Sequence, residues 1–148
     1  MKKYIHELRV RWEDCDPGGL IFYGNYFRYF EAAEEELLRS TGTSEYAIKE
    51  KYNIALGKTD VGAQFFAPAL YDDLVEVHAW IPEYDDKRYL MLFEVYKKGS
   101  DTLLCKGRAK VICMQKGGER LRAREHPPEV VEILEAYAEE GARKEKIK

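Results

Sequence analysis

The sequence has 148 residues, 45% of them hydrophobic and 34% charged, with a formal net charge of −3. A chain of that length can bury a core of its own, and its apolar share excludes a wholly disordered protein. The slightly acidic balance offers no electrostatic footprint for nucleic acid.

Residues 4–12 alternate as a strand, with Ile5, Leu8 and Val10 apolar. The stretch Asp14-Cys15-Asp16-Pro17-Gly18-Gly19 cannot continue it, because proline removes a donor and two glycines favour a turn. From about Tyr23 to Thr41 the spacing of Tyr26, Phe30, Ala33 and Leu37 predicts a long helix, closed by Gly42. Its Glu34-Glu35-Glu36 run reads as a solvated face. Residues 44–51 suit a short helix. Three strands follow over 73–81, 88–97 and 103–114, the last two joined by a hairpin turn at Lys98-Gly99-Ser100-Asp101. In the last of them Leu103, Cys105, Ala109, Val111 and Cys113 share one face, and Lys106, Arg108 and Lys110 the other. Pro127 and Pro128 open a C-terminal helix over about 129–140. There is no repeat, linker or composition break, so a single domain over 1–148 is expected. Its class is α+β: a long aromatic-rich helix packed on, and wrapped by, an antiparallel sheet of about five strands.

Cys15, Cys105 and Cys113 have no repeated spacing, which argues against a disulfide framework and for a reducing compartment. His6, His78 and His126 are isolated, and neither CxxC nor HExxH occurs, so no metal and no cofactor is expected. No apolar run approaches the roughly 18 residues of a membrane span. The N-terminus carries basic residues without the apolar core of a signal peptide. A cytoplasmic location is the expectation.

One place stands out for chemistry. Asp14 and Asp16 lie in a Pro-Gly turn just ahead of the long helix, whose N-terminus offers unpaired N–H groups and the positive end of a dipole. Such donors can hold a developing oxyanion, and a carboxylate beside them can act as base or nucleophile on the same carbonyl. The same two residues also suit plain turn-formers or helix-start charges.

The segment from Asp14 through Glu31, DCDPGGLIFYGNYFRYFE, resembles the active-site loop and helix of the 4-hydroxybenzoyl-CoA thioesterase family of hot-dog proteins. Phe65-Phe66-Ala67-Pro68-Ala69-Leu70-Tyr71-Asp72-Asp73 is similar to that family's lead-in to its central strands, and Gly118-Glu119-Arg120-Leu121-Arg122-Ala123 to its C-terminal segment. The resemblance covers nearly all of the chain up to about residue 131. It implies a hot-dog fold and hydrolysis of an acyl-CoA thioester. The catalytic carboxylate falls on Asp16, as nucleophile or as general base on water, and the main-chain oxyanion donor on Tyr23. Asn25 braces the loop. Arg120 and Arg122 fall on positions that contact CoA phosphates, and guanidinium forks suit that task; Lys87 and Arg88 are a second basic candidate. Thr59, Asp60 and Gly62 border the substrate tunnel.

Glu31 departs from the family's Asp at a position that holds the substrate phenol. It lies two helical turns after Tyr23, about 12 Å along the axis. A carboxylate at the far end of an acyl pocket and a solvent-facing glutamate both fit. The acyl group is thus open between an aromatic and a short-to-medium chain. The resemblance further implies a homo-oligomer, a tetramer built as a dimer of dimers. Three other readings are a hot-dog dehydratase, which usually carries a catalytic-loop histidine absent here, a non-catalytic acyl-CoA-binding protein, and a thioesterase acting on acyl-carrier protein.

Overall fold

A computed structural model describes residues 2–148. Strand β1 (Tyr4–Arg9) leads into a single 3-10 turn at Trp12–Asp14. Helix α1 (Asn25–Arg39) and helix α2 (Glu45–Tyr52) follow. Then come β2 (Ile54–Phe65), β3 (Leu74–Tyr84), β4 (Arg88–Lys97), β5 (Leu103–Gln115), the two-residue β6 (Arg122–Ala123) and helix α3 (Pro128–Tyr137). The strands form one antiparallel sheet in the order β1-β3-β4-β5-β2, with β6 paired to the end of β5.

Helix α1 lies on the inner face of this sheet. Tyr26, Tyr29, Phe30, Ala33, Leu37 and Leu38 are buried along it, at the three-and-four spacing that makes one apolar stripe. They meet the inward residues of the strands: Val75, Val77 and Ala79 on β3, Met91, Phe93 and Val95 on β4, and Cys105, Ala109 and Val111 on β5. Each fully buried Leu, Val or Phe side chain contributes about 1.5–3 kcal/mol. The arrangement is the hot-dog architecture, a long helix wrapped by an antiparallel sheet.

Most expected elements are present, with shifted ends. The first strand stops at Arg9 because Arg11 caps the 3-10 turn through the Asp14 carboxylate, which accepts its N–H at 2.9 Å. Strand β2, twelve residues long, is the element the sequence pattern did not disclose. Its alternation is broken by a bulge between Lys58 and Asp60 and by Gly57 and Gly62. A second irregularity, between Val95 and Tyr96 on β4, turns Leu104 inward beside Cys105, so Leu104 rather than Leu103 is buried. The 98–101 hairpin forms as expected, with Gly99 at φ +76°. Helix α2 begins at Ser44, whose hydroxyl accepts from the Ala47 N–H at 3.0 Å, and ends at left-handed Asn53. Glu34 corrects the reading of its run as solvated: it is 2% exposed.

After α3 the chain returns along the outer end of β3, with bridges from Ile81 to Ala138 and from Tyr84 to Arg143. Asp85 fastens it, accepting the N–H groups of Lys87, Arg88 and Ile147. Burial alone would raise the Asp85 carboxyl, but these donors hold it below its ordinary value.

Candidate active site

The loop between the 3-10 turn and α1 is a tight hairpin. Asp16 N–H donates to Leu20 O at 2.8 Å and Gly19 N–H to Asp16 O at 3.0 Å. Gly19 takes φ +81°, which explains a glycine there. The Asp16 side chain is half-buried, and its Oδ1 accepts the N–H groups of Gly18 at 2.9 Å and Leu20 at 3.3 Å. Its second oxygen takes no hydrogen bond among the described residues. The carboxylate is therefore oriented by one oxygen and available through the other.

Asp14 does a different job. It is 2% exposed and accepts from the Arg11 N–H, the Arg28 guanidinium and the Tyr29 hydroxyl. These bonds fasten the loop to the first turns of α1. Asn25 adds a second tie, its Nδ2 donating to Asp14 O at 2.8 Å. The brace expected of Asn25 is present. Burial, and then the Asp14 and Asp16 carboxylates, raise the Cys15 thiol, so it is a poor nucleophile.

The start of α1 is wound tightly. Asn25 N–H donates to Phe22 O at 2.9 Å, Tyr26 N–H to Tyr23 O at 3.3 Å and Phe27 N–H to Gly24 O at 3.3 Å. These i→i−3 bonds use the donors of the first helical turn. The N–H groups of Tyr23 and Gly24 find no acceptor among the described residues. The Tyr23 ring is 63% exposed and leans on Phe22 and Phe65, with ring centroids 4.7 and 6.2 Å away.

A cavity of about 520 Å³ opens between the next turns of α1 and the inner side of β2. Phe27, Phe30 and Glu31 line it from the helix, Leu56, Lys58 and Val61 from β2, and Phe93 and Ala109 from the sheet floor. Phe30 stacks on Phe93 with centroids 4.7 Å apart. It fits only because position 107 is glycine, where a Cβ would come within 2.3 Å of its ring. Glu31 is exposed at the cavity wall and accepts no hydrogen bond among the described residues.

The register places the β2 candidates elsewhere. Asp60 is paired with Lys110 and Gly62 with Arg108, on the outer, polar face. The Arg108 guanidinium lies over Gly62, where a Cβ would be 2.0 Å from Nη1, and Arg108 also reaches Asp60 at 3.3 Å. Thr59 sits in the bulge and donates to Lys110 O at 3.4 Å. Their neighbours Lys58 and Val61 face inward instead. Only the bulge decides this, and period-two reading does not reveal a bulge.

Arg120 and Arg122 are exposed and make no ion pair among the described residues. Arg122 is opposite Gln115 at one end of β5. The Asp16 loop belongs to the other end, where Phe65, paired with Cys105, packs on Tyr26 at 5.5 Å between centroids. Ten residues of strand separate Cys105 from Gln115, roughly 33 Å. The chain does not bring these arginines to its own Asp16. The second basic candidate is structural in part, since Arg88 donates to Ile147 O at 2.8 Å. No group of three or more His, Cys, Asp or Glu side chains suited to a metal occurs among the described residues, and no helix is long and apolar enough to cross a membrane.

Fold, loop and helix start together describe a hot-dog protein with an oriented carboxylate in the loop that leads into its long helix. The sequence profile of the thioesterase-like superfamily matches residues 10–134, and the chain belongs to that family. Among its relatives is an Aquifex aeolicus (strain VF5) protein named only as an esterase, 31% identical over 88% of this chain and 97% of that one. The 4-hydroxybenzoyl-CoA thioesterase of Pseudomonas sp. (strain CBS-3) is 27% identical over 86% of this chain and 94% of its own length. Among solved structures, the dynemicin thioesterase superposes with a TM-score of 0.83 at 27% identity, covering 93% of this chain and 98% of that one.

Proposed function

We propose that this chain hydrolyses acyl-CoA thioesters, aromatic or of short-to-medium length, with Asp16 as the catalytic carboxylate. The observation that carries the reading is the Asp16 loop. Gly18 and Leu20 orient one carboxylate oxygen, the other takes no hydrogen bond among the described residues, and the helix that the loop leads into begins with a Tyr23 N–H that has no acceptor among them. An acyl carbonyl seated on that N–H would be polarised as charge moves onto its oxygen, where a fixed donor helps most. Asp16 then either attacks the carbonyl carbon, giving a mixed anhydride that water cleaves, or takes a proton from an attacking water. In both routes the thiolate of CoA leaves and is protonated, and the carboxylic acid is the second product. No metal or cofactor enters either route. The relatives named as acyl-CoA thioesterases support CoA as the carrier.

The same reading takes the chain as one domain working in the cytoplasm as a homotetramer, a dimer of dimers. Strand β2 is an uncovered sheet edge. Phe22, Tyr23, Val61, Phe65 and Phe66 are each about half exposed or more beside it, an apolar surface that a second copy would cover. Arg120 and Arg122, far from Asp16 within the chain, would then serve the Asp16 of another copy. Glu31, with Lys58 and Val61 in place of Thr59, Asp60 and Gly62, would bound the acyl group.

The test is colorimetric release of free CoA thiol from a panel of aromatic and aliphatic acyl-CoA esters. Hydrolysis of at least one ester, lost in Asp16→Asn, is the expected result. Tight binding of acyl-CoA without turnover would favour a non-catalytic binding protein.

A further inference from the structure

Two charged residues stand where the patterns of their elements call for apolar ones. Glu34 is on the inward stripe of α1, between Ala33 and Leu37, and Lys58 is on the inward face of β2, between Leu56 and Val61. They meet at the cavity: Lys58 Nζ donates to Glu34 Oε1 at 2.8 Å. The Glu34 side chain is 3% exposed and that of Lys58 36%. Behind them the fully buried Tyr89 hydroxyl faces Glu34 without a hydrogen bond of normal geometry. Replacing a buried ion pair by apolar side chains of similar volume is often neutral or stabilising, because desolvation, here chiefly of Glu34, cancels much of the attraction. Burial raises the Glu34 carboxyl and Lys58 only partly offsets it. The pair therefore calls for an explanation other than stability.

Resting on the acyl-CoA reading above, we propose that the Glu34–Lys58 pair is the polar end wall of the acyl site and selects acyl groups whose far end donates a hydrogen bond. The apolar part of such a group would lie along Phe27, Phe30 and Phe93, and its terminal donor would meet Glu34. Only one Glu34 oxygen is occupied by Lys58, which leaves the second as an acceptor. The sign of the wall excludes the opposite chemistry. Four carboxylates (Glu31, Glu34, Glu35 and Glu45) and three cations (Lys49, Lys58 and Arg108) line the cavity, and each cation is already paired: Lys49 with Glu45, Lys58 with Glu34 and Arg108 with Asp60. A carboxylate-tipped acyl group would meet net negative charge, whereas a hydroxyl or amino tip would meet acceptors.

The test uses trios of CoA esters of matched size ending in hydroxyl, methyl or carboxylate, both aryl and aliphatic. Each is measured as kcat/KM, and as the Kd of its non-hydrolysable thioether analogue. Wild type should prefer the hydroxyl member over the methyl member by a factor on the order of 10 to 100, the worth of a hydrogen bond to a charged acceptor, and should reject the carboxylate. Glu34→Gln keeps an acceptor and should lose only part of the preference. The double variant Glu34→Leu/Lys58→Met leaves no buried charge alone, so it should fold. It should equalise or invert the preference, read as the ratio of hydroxyl to methyl ester within each pair. The same hydroxyl preference in wild type and double variant would overturn the inference, as would no preference in wild type, even with hydrolysis intact. If no ester is hydrolysed but the analogues bind with the expected preference, the thioesterase reading fails and the end wall stands. If the analogues do not bind at all, both fall.

Discussion

The Tyr29 hydroxyl donates to Asp14 Oδ2 at 2.8 Å, one turn inside α1, and so joins the helix to the residue two places before Asp16. Burial, followed by this bond to Asp14, drives the tyrosine's ionisation far above its ordinary range, so it remains a donor at any working pH. Tyr29→Phe should destabilise the protein by roughly 1–3 kcal/mol, because it removes one partner of a buried, charged acceptor. Asp14→Asn should cost at least as much, since Arg28 and the Arg11 N–H lose the charge they bond to. Both variants should retain more turnover than Asp16→Asn, because they shift the loop without removing the reacting group. Urea unfolding alongside steady-state kinetics checks the ordering. A folded Asp14→Asn as inactive as Asp16→Asn would move Asp14 into the chemistry.

Much of this region was legible from the residues themselves. The Pro-Gly-Gly turn, the aromatic stripe of α1 and the alternating strands β3 to β5 state their structure locally. What was not legible depends on register. Lys58 and Asp60 sit two positions apart, and period two would place them on one face. The bulge between them sends Lys58 inward and Asp60 outward. Glu34, in a run of three glutamates, is turned inward by the helical phase of Phe30, Ala33 and Leu37, yet its charge argued for solvent. The misread Glu34 and the unread Lys58 are the two residues that form the ion pair at the cavity.

Gly107 should not tolerate a side chain. A Cβ there would stand 2.3 Å from the Phe30 ring, which is held between the strand and Phe93. Gly107→Ala should destabilise by about 1–3 kcal/mol, the usual cost of overpacking. By displacing Phe30 it should also alter which acyl esters are accepted. Thermal melts and the ester panel report the two effects separately. An unchanged Tm would mean that the ring moves aside freely.

His126 predicts an acid-side loss of stability. The residue is 8% exposed, its Nδ1 has no partner among the described residues, and its Nε2 lies 3.3 Å from Arg88 O. Burial lowers its pKa below the ordinary value of 6.5, despite the opposing pull of the Arg88 carbonyl, Asp85 and Asp86. The unfolded chain therefore binds the proton more readily than the fold does. The stability contributed by the neutral ring is complete above pH 6.5 and is lost as the pH falls through that value toward the lower pKa of the folded state. His126→Gln should melt with a flatter dependence between pH 7.5 and 5 than wild type. Parallel curves would show that this histidine does not titrate differently on folding.

Asp16 and the arginines lie toward opposite ends of the sheet within one chain. Arg122 pairs with Gln115 at the end of β5 opposite the Asp16 loop, and Cys105 and Gln115, near those two ends, are roughly 33 Å apart by strand rise. If Arg120 and Arg122 hold CoA phosphates, they do so for the carboxylate of a different copy. Arg122→Ala should then mainly raise KM, with an effect that shrinks as salt increases, while kcat is spared. Asp16→Asn should lower kcat by a factor on the order of 10² or more and leave substrate binding in place. Neither variant alone has a complete site. In a mixed oligomer, some sites combine an intact Asp16 from the Arg122→Ala chain with an intact Arg122 from the Asp16→Asn chain. Co-expressing the two variants with different affinity tags and purifying through both should therefore restore, at low substrate concentration, activity above the sum of the parents. Activity no greater than that sum, in a preparation shown by mass to contain both chains, would mean that the arginines do not serve a neighbouring active site.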